Sequence, residues 1–105
     1  MSDTTTTIVT AQWSLDPDNT NLGASHAHTW VVTNDYQAPV FLQVPPSIFT
    51  EANPPSGAFK IAAGANKTLE LLAKPQRATG NFSYTVSTPG SGPNQPLGGN
   101  LHVDP

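Results

Sequence analysis

The 105-residue chain carries four Lys plus Arg against seven Asp plus Glu, and its charged residues amount to 10%, where a folded domain ordinarily has about a quarter. It has no basic stripe to neutralise phosphates, which argues against nucleic acid as a partner, and no cysteine, which excludes disulfides, thiolate metal ligands and a cysteine nucleophile. The length suits one domain with a two-layer core, and no apolar run approaches a membrane span.

The opening residues MSDTTTTIVT show neither a basic region nor an apolar stretch of signal length, so the expectation is a soluble, cytoplasmic protein. Residues 1–7 read as a flexible tail or the start of an edge strand, and 8–105 as the folded domain. IVTAQW alternates, with Val9, Ala11 and Trp13 on one face. SLDPDNTNLG follows as a loop, punctuated by Asp-Pro and Asp-Asn. HAHTWVVTN predicts a strand with Trp30 and Val32 on the same side, and VFLQV one with Val40, Leu42 and Val44 inward. Pro45-Pro46 ends that strand because neither ring can donate to a ladder.

SIFTEANPPSGA holds at most one short helical turn before Pro54-Pro55. AFKIAAGANKTLELLA reads as strand, turn, strand, the turn at Gly64-Ala65-Asn66 and the inward residues Phe59, Ile61, Leu69 and Leu71. NFSYTVS places Phe82, Tyr84 and Val86 on one face. NLHVD closes the chain with Leu101 and Val103 inward and His102 outward. Apolar residues nowhere recur at helical spacing, and 11 prolines would interrupt any long helix. About seven short strands with regular turn signals predict an all-β, single-domain antiparallel Greek-key β-sandwich.

The segment from Phe59 to Val103 resembles the C-terminal half of a cupredoxin, the blue-copper fold. The matching pieces are IAAGANKTLEL, GNFSYTV (80–86), STPGS (87–91) and LGGNLHV (97–103), with a looser match at VVTN (31–34). The resemblance implies a cupredoxin-like sandwich. It also places Val86 where the family has its cysteine, Ser91 near the loop histidine and Leu97 near the methionine, while DYQAPV after Asn34 supplies no histidine. A type-1 site needs a thiolate and two imidazoles, so electron transfer through such a site is excluded.

His26-Ala27-His28 is the other pattern with chemistry in it. Residues two apart on a strand share a face, so His26 and His28 could offer two nitrogens to Cu or Zn, with His102 as a third; the plainer alternative is two histidines at the start of a strand. Asp16 and Asp18 resemble a fragment of a calcium loop but lack its glycine and closing glutamate. Asn66-Lys67-Thr68 and Asn81-Phe82-Ser83 match glycosylation acceptors. No nucleophile elbow, carboxylate pair or phosphate loop is present, so the chain is expected not to be an enzyme. Tyr36, on a loop, and Phe41, on the far face from Val40 and Leu42, are candidate contact residues. A neutral surface repels its own copies weakly, which predicts a non-catalytic structural or interaction module that forms a homo-oligomer. The alternatives are a metal-binding protein using the histidine pair and a small-ligand or carbohydrate-binding module.

Overall fold

A computed structural model describes residues 2–22, 27–73, 76–88 and 95–104. These form nine strands and no helix: β1 (Ser2–Val9), β2 (Leu15–Asp16), β3 (Asn19–Leu22), β4 (Ala27–Asn34), β5 (Val40–Gln43), β6 (Phe59–Ile61), β7 (Asn66–Glu70), β8 (Gly80–Ser87) and β9 (Leu97–Val103). They build two facing sheets, one in the order β2-β1-β4-β7 and one in the order β3-β9-β8-β5-β6.

Side-chain alternation decides what faces the core. Along β4, His28, Trp30, Val32 and Asn34 are buried while Thr29, Val31 and Thr33 are half-buried on the opposite face. The partner sheet answers with Leu42, Tyr84, Val86, Leu101 and Val103. Trp30 is the centre of this layer. Its ring stacks on Phe49 at 5.6 Å and meets the edge of Tyr84 at 4.9 Å, and its indole N–H donates to Thr7 Oγ1 at 2.9 Å. Thr7 Oγ1 also lies 3.0 Å from Thr20 Oγ1, so the indole N–H at the centre of the ring cluster is partnered.

The architecture departs from the sequence expectation in four places. The sheets are mixed, since β1 runs parallel to β4 and β3 parallel to β9; alternation reports which face is apolar but carries no information on pairing direction. The described residues form nine strands because the segment expected as the loop SLDPDNTNLG contains β2 and β3. β6 and β7 do not pair with each other: β6 joins β5 and β7 joins β4. The turn between them, with Gly64 at φ 79°, carries the chain from one sheet to the other. The short helical turn expected after residue 46 is instead an extended segment docked on the end of β7. Leu72 donates to Ile48 O and Thr50 to Glu70 O, each at 2.8 Å, and the adjacent Ile48 and Phe49 are both buried.

Candidate functional site

At one end of the sandwich β1, β4 and β8 finish and β5 and β9 begin. Asn34 organises this end. Fully buried, it donates through Nδ2 to Ala38 O at 2.9 Å and Ile61 O at 3.1 Å, and its Oδ1 accepts the Tyr36 N–H at 2.9 Å. The loop 35–39 is thereby folded back over the last residue of β4. Backbone bonds extend the tie: Asp35 donates to Val9 O and Gly64 to Asn34 O, each at 2.8 Å.

An aromatic pair lies over this frame. The chain turns after β1, Thr10 donating to Ser14 O at 2.9 Å and Trp13 to Thr10 O at 3.1 Å, and Trp13 adopts φ 64°, a conformation that side chains other than glycine enter only at a cost. The turn brings the Trp13 ring within 4.8 Å of Tyr36, tilted at 55°, and lets the indole N–H donate to Gln95 O at 2.7 Å. Both rings are half-buried. The sequence placed Trp13 on the inner face of a longer strand with Ala11; the reversal exposes Ala11. Thr10 and Ser14, whose hydroxyls meet at 2.6 Å, are the only trace of that reversal in the sequence. Of the two contact residues expected, Tyr36 therefore belongs to this cluster. Phe41 lies elsewhere, half-buried on the outer face of its sheet between Lys60 and Ser87.

Three solved auracyanin structures are similar to this chain in fold. The fold matches auracyanin B with a TM-score of 0.60 at 14% identity, over 98% of this chain and 89% of that one. It matches auracyanin A, a "blue" copper protein from Chloroflexus aurantiacus, with a TM-score of 0.59 at 18% identity, over 99% and 100% of the two chains. It matches reduced auracyanin from Roseiflexus castenholzii with a TM-score of 0.56 at 12% identity, over 99% and 97%. No family model and no curated protein matches the sequence. The chain has a cupredoxin-like fold without the copper ligands.

The donor set explains that second half. Val86, which the sequence resemblance matches to the family's cysteine, is fully buried and paired with Leu42 on one side and Leu97 on the other. Ser91 lies outside the described residues. With no cysteine in the chain, a type-1 copper ion does not fit these residues.

The histidines are not gathered either. His26 lies outside the described residues. His28 is buried between the sheets, with Nε2 2.7 Å from Thr5 Oγ1. His102 is on the outer face of the other sheet, its Nδ1 2.8 Å from Asn81 Oδ1 and its Nε2 3.0 Å from Asp104 Oδ1, so His28 and His102 do not share a site. Asp16 and Asp18 are both exposed. Among the described residues, no group of three or more His, Cys, Asp and Glu could hold a metal ion.

Proposed function

We propose that this chain is a non-catalytic interaction module that associates with copies of itself through β1. The observation that carries this reading is the open edge of that strand. Asp35 donates to Val9 O, so Val9 turns its peptide groups toward β4. Alternation turns those of Thr4, Thr6 and Ile8 the other way. Ile8 meets Asp16 of β2 there, but β2 pairs only with Ile8 and Val9. Among the described residues no strand lies against Thr4 and Thr6 on that side.

The surface beside this edge supports the same reading. Thr4, Thr6 and Ile8 stand next to Thr29, Val31 and Thr33, a β-branched patch bounded by Glu70 and Thr68 on the β7 side and by Asp16 beside Ile8. Sheets ordinarily protect an open edge with lysine, proline or a bulge, and Ser2–Val9 contains neither of those residues. A second β1 pairing along this edge satisfies the outward peptide groups and repeats by a two-fold axis. The half-buried Trp13 and Tyr36 belong to the residue types that dominate interface energetics, and they supply a second contact at the end of the same strand.

Size-exclusion chromatography with light scattering over a range of concentrations tests this. The expected result is a mass above that of the single chain which rises with concentration, and which falls to the single-chain value in the Thr4→Lys/Thr6→Lys variant with its circular dichroism unchanged. A single-chain mass for the parent protein at every concentration overturns the proposal.

A further inference from the structure

On the outer face of the second sheet, β9 runs between β3 and β8 and the three strands carry two rows of polar side chains. Asn21, His102 and Asn81 are in register in one row, and Asn19, Asn100 and Ser83 in the next. A groove of about 330 Å³ opens over them, lined by the side of Thr20 together with Asn19, Asn21, Asn81, Asn100 and His102. Strands about 4.8 Å apart and rows about 6.7 Å apart give this floor the footprint of one sugar ring.

The amides are held in place while keeping unused capacity. Asn100 Nδ2 donates to Asn19 Oδ1 at 3.0 Å, which leaves the Asn19 NH₂ and the Asn100 carbonyl oxygen to the groove. His102 Nδ1 lies 2.8 Å from Asn81 Oδ1, which leaves the Asn81 NH₂. Asn21 makes no side-chain hydrogen bond within the described residues. Donors and acceptors thus alternate across the floor, and each neutral hydroxyl of a polyol is itself both donor and acceptor. An anion finds no lysine or arginine in this lining, and a cation finds no carboxylate in it. Asp104, the nearest acid to His102, is turned onto the imidazole edge at 3.0 Å.

We propose that this groove binds a neutral polyhydroxyl ligand, a single sugar unit, through the side-chain amides of Asn19, Asn21, Asn81 and Asn100. The ligand stacks on no aromatic ring in this lining, so recognition rests on hydrogen bonds shared with water and the dissociation constant is on the order of 1–10 mM. This site is independent of the β1 edge.

The test is an amide NMR titration of the ¹⁵N-labelled protein with glucose, galactose, mannose and N-acetylglucosamine, with inorganic sulfate as the charged control. At least one sugar is expected to give saturable shifts confined to the Asn19, Asn21, Asn81 and Asn100 side-chain amides and the backbone around them, while sulfate gives none. Asn21→Ala removes a side chain without a hydrogen bond among the described residues and is expected to fold and to weaken binding by roughly 3–10-fold; the Asn21→Ala/Asn81→Ala variant is expected to weaken it further. The proposal is overturned by absence of saturable shifts with every sugar, by shifts that map to Trp13 and Tyr36, by tighter binding of sulfate, or by unchanged affinity in the double variant.

Discussion

Tyr84 shows how closely single residues are fitted in this core. Its ring lies directly over Gly99, where an added Cβ would collide with the phenol. Gly99→Ala is therefore expected to lower stability by about 1–3 kcal/mol, measurable by urea denaturation. The Tyr84 hydroxyl is buried without a hydrogen bond among the described residues. Burial pushes its pKa up to about 12, with nearby Thr7 partly offsetting the shift and the charge of Asp18 adding to it. The folded state thus keeps the phenol proton in a range where the unfolded chain, ionising near pH 10, has released it. That contribution is fully present below about pH 10 and is lost as pH rises toward about 12, a fall of roughly 2–3 kcal/mol. Tyr84→Phe should remove this part of the alkaline fall while changing stability near pH 7 by less than about 1 kcal/mol, because the hydroxyl it deletes is unpartnered; unfolding curves at both pH values check it. The inward positions of Trp30, Leu42, Val86, Leu101 and Val103 were legible from alternation alone. The positive φ of Trp13 was not, because nothing local selects that conformation for a tryptophan and its ring is held by Tyr36 and Gln95, distant in sequence.

The ends of the elements depend on a few polar ties. Asn34 closes β4, and its three hydrogen bonds fasten the 35–39 loop and, through Ile61 O, the end of β6. Asn34→Ala is expected to cost about 2–4 kcal/mol, since it leaves buried backbone groups unpaired. It should also loosen Tyr36 from Trp13, shifting the tryptophan emission in the folded protein; an unchanged emission spectrum would show that the aromatic pair holds itself. The strand segments at β4, β5, β8 and β9 could be read from the sequence because each is long enough to repeat the two-residue period. β2, with two residues, and β3, with four, are too short to do so, and Asp-Pro within the same stretch reads as loop chemistry. The Gly64 turn was legible as a turn. Its destination was not, because a hairpin and a passage between sheets begin with the same residues.

For the whole molecule, the two-layer plan came from the pattern of apolar residues, and the likeness to blue-copper folds came from the spacing of strand, loop and closing strand. Neither contains the parallel pairings β1–β4 and β3–β9, which join segments far apart in the chain. The amide groove has the same origin. Asn19, Asn21, Asn81, Asn100 and His102 come from three strands, and the parallel register of β3 with β9 together with the antiparallel register of β8 with β9 brings them together. Pairings between distant segments also make folding slow, on the order of milliseconds to seconds. Stopped-flow refolding followed through tryptophan fluorescence should show this; completion within microseconds would contradict it. The central position of β9 has a further consequence for synthesis. Until Leu97–Val103 emerges from the ribosome, β3 has no neighbour in its sheet and β8 has one bare flank. A chain in which β9 has not yet docked thus exposes strand edges and the inward side chains of β3 and β8, the kind of surface through which incompletely folded chains aggregate.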